Sequence, residues 1–177
     1  AMARPHPCVV GVCGSLRAES RTRIAVRKTL RAADRAGATT DLVDLREYGL
    51  PPLHATAADV PDAERFRETV RRADGLALGT PNYHGSYAGA LKNALDYCNR
   101  EALDGTTIGV LEVAAGEFPG SATEHLRQVV RTLHGWPLPQ AAAHPNPHDA
   151  ATDARIAGTE LRDRIEGPAR PLAARAR

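Results

Sequence analysis

Short apolar runs alternate with longer amphipathic segments along the chain. The apolar runs predict five β-strands, at residues 8–13, 40–45, 75–79, 107–113 and 138–143. Strands that alternate with helical segments in this way are typical of βαβ units around a parallel sheet. The fifth strand is the least regular, because Pro137 and Pro139 flank its start and a central strand rarely contains proline.

The amphipathic segments repeat their apolar positions at helical spacing. They predict helices over residues 20–36, from residue 61 onward, and over residues 91–98, 121–135 and 149–166. Gly37 is placed to end the first helix, and Ser121 with Glu124 has the spacing of a capping box at the start of the fourth. We therefore predict one doubly wound α/β domain over residues 1–177, with residues 167–177 as a flexible tail.

If the five strands take the order 2-1-3-4-5, the topology of the sheet indicates where a ligand would bind. In such a sheet the ligand crevice lies beyond the carboxyl ends of strands 1 and 3, where the order reverses. The loops that follow these strands are GSLRAESRT, residues 14–22, and TPNYHGS, residues 80–86. A third loop, AGEFPG at residues 115–120, follows strand 4 and would overhang the same edge. Three unusual loops on one edge predict one site.

The first loop has the composition of an anion site. Unpaired N–H groups at the start of a helix attract negative charge, and Ser15, Ser20 and Thr22 add hydroxyls while Arg17 adds a cation. The loop matches neither GxGxxG nor GxxxxGK[ST], which disfavours a dinucleotide or a triphosphate and favours one terminal phosphate. The alternative is that Ser20 only caps the helix and Arg17 is solvated.

The second loop offers polar groups for a flat ring. Its N–H groups could face the ring edge while Tyr83 or His84 lies over one face. His84 could also act as a general acid or base, although a loop histidine without a carboxylate partner is more often a surface residue. Elsewhere GSYAG is not GxSxG, and His144 with His148 lacks a third ligand, so we expect neither a nucleophile elbow nor a metal site.

Composition excludes several classes of protein. The net charge is only +2 and aromatic residues are 4% of the chain, without the basic stripe of a nucleic-acid binder, so no nucleic acid is expected. No apolar run approaches the roughly 20 residues of a membrane span, so no membrane partner is expected either. The three cysteines lack disulfide or zinc spacing, and the start of the chain has no secretory pattern, so we expect reduced thiols and a cytoplasmic protein.

Two motifs in these loops resemble those of a known family. GSLRAES and PNYHGSYAGALKNALDY are similar to the GSxRxxS and PxYxxSxxGxLKNALD motifs of the NADPH-dependent FMN reductase family. The likeness covers roughly residues 9–133, and the second motif is the more specific. The resemblance implies a flavodoxin-like fold and a homodimer or homotetramer, in a family that includes flavin, quinone, azo-dye and chromate reductases.

The resemblance also implies roles for individual residues. The FMN phosphate would be bound by Ser15, Arg17, Ser20 and Thr22. The isoalloxazine would be lined by Pro81, Asn82, Tyr83, His84, Gly85 and Ser86. Gly116 falls where the family often has a glycine-rich turn near the flavin, and residues 91–96 are expected to be structural. The resemblance implies no roles for the residues after Leu133.

The expected activity is hydride transfer from NADPH or NADH through flavin N5 to a small-molecule electron acceptor such as free flavin or a quinone. The cofactor carries this chemistry, so no catalytic side chain is required. One alternative is a reductase with tightly bound FMN that acts on a specialised quinone or a biosynthetic intermediate. Another is a flavodoxin-like electron carrier, although such carriers tend to be strongly acidic and use a phosphate loop without arginine.

Overall fold

The computed structural model describes residues 6–54, 60–114 and 120–144 of the chain. Its sheet has five long strands, all paired in parallel: β1 (Cys8–Cys13), β2 (Thr39–Asp44), β3 (Gly75–Tyr83), β5 (Thr107–Val113) and β6 (Trp136–His144). They lie in the order β2-β1-β3-β5-β6, which is the predicted 2-1-3-4-5 order of a flavodoxin-like sheet. The two-residue strand β4 (Ser86–Tyr87) pairs antiparallel with the end of β3 and was not predicted.

Helices cover both faces of this sheet, as predicted. They are α1 (Arg21–Arg35), α2 (Pro61–Arg71), α3 (Gly89–Asp96) and α4 (Ser121–Thr132), and a 3₁₀ helix covers Leu45–Glu47. Side chains alternate between the faces of a strand, so neighbouring residues of β1 belong to different cores. Val10 packs in a cluster with residues of α2, α3 and α4, whereas Val9 packs with residues of α1.

Several predicted boundaries were wrong. β3 continues four residues beyond Gly79, to Tyr83. The capping box is absent, because the N-cap of α4 is Gly120, with a φ of 125°, and no side chain caps the helix. β6 begins at Trp136 and includes both prolines, which an edge strand tolerates. The predicted helix at residues 149–166 and the tail at residues 167–177 lie outside the described residues.

The three cysteines differ in burial. All three cysteines are free thiols, and Cys8 and Cys13 are buried. Burial raises the pKa of Cys98 to about 12, so this thiol stays protonated at neutral pH. None of the helices in the described ranges is both long enough and apolar enough to cross a membrane.

Candidate functional site

A cavity of about 840 Å³ opens at the carboxyl edge of the sheet, where the strand order reverses. It is lined by the loop after β1, the first turns of α1, and the ends of β3 and β5. The lining residues are Ser15, Arg17, Ala18, Glu19, Ser20, Arg21, Thr22, Arg23, Ile24, Arg27, Pro81, Asn82, Tyr83, Val113 and Ala114. This volume is within the usual range of small-molecule sites.

The loop after β1 begins in close contact with β3. The Gly14 N–H donates a 2.8 Å hydrogen bond to the Gly79 carbonyl oxygen. A Cβ atom on Gly14 would lie 2.8 Å from Leu91 Cβ and 2.9 Å from that same oxygen. Only glycine fits this position without movement of the backbone, so the start of the loop is fixed against both β3 and α3.

Three hydroxyl side chains of the cavity are buried at the start of α1. Ser20 is the N-cap, and its Oγ accepts a 3.1 Å hydrogen bond from the Arg23 N–H. Ser15 Oγ accepts a longer bond, 3.4 Å, from the Arg17 N–H. Ser15, Ser20 and Thr22 are at most 6% exposed. A hydroxyl that accepts a bond can still donate its own hydrogen, so the helix start combines hydroxyl donors with the positive end of the helix dipole.

Two arginines near this loop have different environments. Arg17 is exposed and makes no ion pair within the described ranges. Arg23 is only 12% exposed, and its Nε and Nη2 contact the two carboxylate oxygens of Asp44 at 2.5 and 3.3 Å. This hydrogen bonding raises the pKa of the Arg23 guanidinium, which stays charged. The sequence analysis did not consider Arg23 and expected Asp44 only to lie on a polar strand edge, whereas Asp44 is buried. The available signal was that this aspartate ends strand 2 at the same sheet edge as the loop.

The second predicted loop is a tight hairpin. Tyr83 and Ser86 pair across a two-residue turn in which His84 has a φ of 53° and Gly85 a φ of 82°. Positive φ at both central residues is characteristic of a type I′ turn. Pro81, Asn82 and Tyr83 line the cavity from the β3 side, and Tyr83 is 45% exposed.

The amide of Asn82 holds the hairpin to the body of the protein. Its Oδ1 accepts a 2.9 Å bond from the Gly85 N–H. Its Nδ2 donates to Glu112 Oε1 at 2.6 Å and to Ser121 Oγ at 3.2 Å. Ser86 Oγ also lies 3.0 Å from His125 Nδ1 on α4. The side chain of Asn82 is therefore engaged within the protein.

Glu112, near the end of β5, is a buried carboxylate that sequence reasoning missed. It is 1% exposed, and its Oε2 accepts bonds from the Thr123 N–H at 2.9 Å and the Thr123 hydroxyl at 3.0 Å. Burial alone would raise the pKa of Glu112, but hydrogen bonds from the Gly120 N–H, Asn82 and Thr123 outweigh it and lower the pKa. The carboxylate is therefore ionised at neutral pH, and it joins the hairpin to the start of α4.

The structure brings most of the predicted site residues together. Those that line the same cavity are Ser15, Arg17, Ser20, Thr22, Pro81, Asn82 and Tyr83. His84, Gly85 and Ser86 lie at the hairpin turn and are not among the lining residues. Gly116 lies outside the described residues.

Residues 91–96, the LKNALD segment, have a structural role, as expected. They support two separate loops. Leu91 lies against Gly14. The Asn93 amide donates to the Leu50 and Pro51 carbonyls at 3.1 and 3.0 Å and accepts from the Leu53 N–H at 3.0 Å. Within this segment, Asn93 therefore holds residues 50–53, whereas Leu91 supports the loop after β1.

Comparisons with known proteins agree with this geometry. A family model described as NADPH-dependent FMN reductase matches residues 7–149. An FMN-dependent NADPH-azoreductase of Staphylococcus haemolyticus is 32% identical over 155 residues, which cover 82% of this chain and 81% of the relative. An NAD(P)H-dependent FMN reductase of Pseudomonas aeruginosa is 36% identical over 135 residues, which cover 73% and 72%.

A solved structure shows the same fold. The apo form of an NADH:FMN oxidoreductase superposes with a TM-score of 0.72 over 88% of each chain, at 21% identity. The two motifs at one sheet edge, the family match over most of the chain and the relatives above 30% identity all agree. The chain belongs to the NADPH-dependent FMN reductase family.

Proposed function

We propose that this chain binds FMN in the cavity at the carboxyl edge of its sheet and transfers electrons from NAD(P)H to a small-molecule acceptor. The observation that carries the proposal is that one cavity is lined both by a buried hydroxyl cluster at the start of α1 and by the end of β3 that leads into the hairpin. FMN has one phosphate monoester and one flat polar ring, so the two ends of the cavity match the two ends of the cofactor.

The phosphate end is assigned to the loop after β1 and the first turn of α1. Ser15, Ser20 and Thr22 would donate hydroxyl hydrogen bonds to the phosphate oxygens, and the exposed Arg17 would supply the positive charge. A phosphate dianion is favoured at the positive end of a helix dipole. The absence of a second glycine or a lysine in this loop fits one phosphate better than two or three.

The ring end is assigned to the end of β3 and its hairpin. Backbone groups of Pro81, Asn82 and Tyr83 would border the isoalloxazine, and the half-exposed ring of Tyr83 would cover part of it. The hydrogen bonds of the Asn82 side chain to Glu112 and to the Gly85 N–H would keep this border in place. Hydride transfer between NAD(P)H and the acceptor is the chemistry that bound FMN supplies, so the chain needs to orient the ring rather than to provide an acid or base.

The acceptor is proposed to be a free flavin, a quinone or a similar small molecule. One relative carries the name azoreductase, which adds azo compounds to the acceptors worth testing. The alternative within the same chemistry is a reductase that retains FMN tightly and acts on a specialised quinone or a biosynthetic intermediate. We also propose a cytoplasmic location and a homodimer or homotetramer, as the family resemblance implies.

An anaerobic titration tests the proposal. The purified chain is loaded with FMN, desalted, and titrated with NADPH and with NADH while the flavin absorbance is recorded. We expect FMN to bind and its yellow colour to fade with either or both nucleotides, faster than for the same concentration of free FMN. A chain that binds FMN but does not oxidise NAD(P)H would instead be an electron carrier, and a chain that binds no FMN would overturn the proposal.

A second measurement separates the two reductase alternatives. The loaded enzyme is turned over with free FMN, a quinone or an azo dye as acceptor, and the protein is then desalted again. FMN that exchanges with the medium between turnovers indicates free-flavin reduction. FMN that stays with the protein indicates a reductase with a resident cofactor and a separate acceptor.

A further inference from the structure

We propose that Arg23 and Asp44 act as a clamp that positions the phosphate-binding loop, and that Arg23 is a positioning residue rather than a phosphate ligand. The inference rests on the proposed function, because it concerns how the same cavity holds the phosphate of FMN. Neither residue belongs to the motifs that resemble the family, although Arg23 lines the cavity.

The guanidinium of Arg23 is almost fully engaged within the protein. Nε and Nη2 bind the two oxygens of Asp44. Nη1 donates to the Ala18 carbonyl oxygen at 3.0 Å, and Nη2 donates to the Arg17 carbonyl oxygen at 3.2 Å. These four contacts use four of the five N–H groups of the side chain, which leaves too few donors for a fork around a phosphate.

These contacts fix the backbone of the loop. A trans peptide points its C=O and the following N–H in opposite directions. Holding the carbonyls of Arg17 and Ala18 on the guanidinium therefore fixes the next two N–H groups, those of Ala18 and Glu19, on the opposite side. It also engages two carbonyl oxygens that would repel a phosphate if they turned toward it.

Asp44 completes the clamp from a different part of the fold. It ends β2, 21 residues beyond Arg23, and its side chain is 9% exposed. Its Oδ1 also accepts a 3.2 Å bond from the Arg46 N–H, which caps the 3₁₀ helix and fixes the carboxylate. Because the carboxylate neutralises Arg23, the positive charge that the cavity lining offers to a ligand comes from the other lining arginines, Arg17, Arg21 and Arg27.

A direct role of Arg23 in binding phosphate is the main rival, and the two roles predict opposite effects of one substitution. If Arg23 binds the phosphate, Asp44 competes with the ligand, and Asp44→Asn should strengthen FMN binding. If Arg23 is a clamp, Asp44→Asn releases the guanidinium from its anchor, the loop loses its geometry, and FMN binding weakens.

The experiment compares FMN with riboflavin, which lacks the phosphate. Dissociation constants for both are measured by flavin fluorescence in the wild type, Asp44→Asn, Arg23→Lys and Asp41→Asn. Lysine keeps the charge at position 23 but cannot reach two carboxylate oxygens and two carbonyls at once. Asp41→Asn is the matched control, since Asp41 is on the same strand in a half-exposed ion pair with Arg72.

We expect the FMN to riboflavin affinity ratio to fall about tenfold in Asp44→Asn and in Arg23→Lys, while the affinity for riboflavin stays within about twofold of the wild type. Asp41→Asn should leave both constants unchanged. A general loss of structure would weaken both flavins alike, so the ratio separates positioning from folding.

Tighter FMN binding by Asp44→Asn, or an unchanged ratio in both clamp variants, would overturn the inference while leaving the proposed function intact. If Asp44→Asn does not fold, Asp44→Ser, which also removes the carboxylate, takes its place, because a lower ratio in Arg23→Lys alone fits either role of Arg23. Failure of the wild type to bind either flavin would overturn the proposed function itself.

Discussion

Glu112 Oε1 accepts a 2.6 Å hydrogen bond from Asn82 Nδ2, and this contact joins the end of β3 to the end of β5. The same carboxylate binds Thr123, so one buried charge holds both the hairpin and the first turn of a helix.

Glu112→Gln is expected to destabilise the protein by about 2–3 kcal/mol. Glutamine replaces one carboxylate oxygen by an NH₂ group, which must face either the Asn82 amide or the donors of Thr123. Urea denaturation of the apoprotein measures the change. The control is Glu124→Gln, because Glu124 lies in the first turn of α4 and its side chain is 63% exposed. Equal effects of the two substitutions would show that the buried carboxylate is not needed.

The same residue gives a pH dependence with a defined sign. The hydrogen bonds to Glu112 lower its pKa in the folded state below the ordinary 4.5. The folded state therefore binds this proton less readily than the unfolded state, so the stabilisation is complete above about pH 4.5 and is lost as the pH falls through the folded pKa. Between pH 6 and pH 3 the free energy of unfolding should fall more steeply in the wild type than in Glu112→Gln. Parallel curves would contradict the assignment.

Arg17→Ala is expected to weaken FMN binding about tenfold while the fold and its melting temperature are unchanged. Arg17 is exposed at the cavity and its loss leaves no buried partner. Fluorescence titration measures the affinity, and Arg31→Ala, an exposed position on α1 away from the cavity lining, is the control. If FMN affinity does not change, the loop after β1 is an ordinary helix cap.

Gly14→Ala is expected to cost about 1–3 kcal/mol of stability, because its Cβ would overlap Leu91 and the Gly79 carbonyl. The displaced loop should also bind FMN less tightly. Gly89→Ala is the matched control, since a Cβ there meets no atom within 4 Å. Thermal denaturation of both variants gives the comparison, and a Gly14→Ala variant as stable as Gly89→Ala would show that the loop moves freely.

Local patterns in the sequence predicted most of the sheet. The five long strands follow from short apolar runs that alternate with helical segments. The order of a flavodoxin-like sheet then placed the loops after β1 and β3 on one edge. The hairpin was missed because β4 has only two residues, too few for an alternating pattern. The local sequence signal for the hairpin was Gly85, a residue that readily adopts the positive φ that the turn requires.

The residues that fix the site were missed for a different reason. Glu112 lies in an apolar run, and its partner Asn82 is 30 residues earlier. Arg23 and Asp44 are separated by 21 residues. Their roles depend on contacts between elements, which no local spacing contains. The incorrect capping box has the same origin, since α4 begins where Glu112 holds the N–H groups of Gly120 and Thr123.

Pro137 and Pro139 leave gaps in the row of N–H donors along β6. The Trp136 N–H points inward to the Thr106 carbonyl, so Pro137 falls at an outward position and offers no donor there. Pro139 lies where the register with β5 breaks, between the pairs Ile108 with Pro137 and Val110 with Ala141. A strand from another molecule would find no continuous ladder along this stretch, so the sheet edge resists both fibre-like stacking and strand exchange between copies.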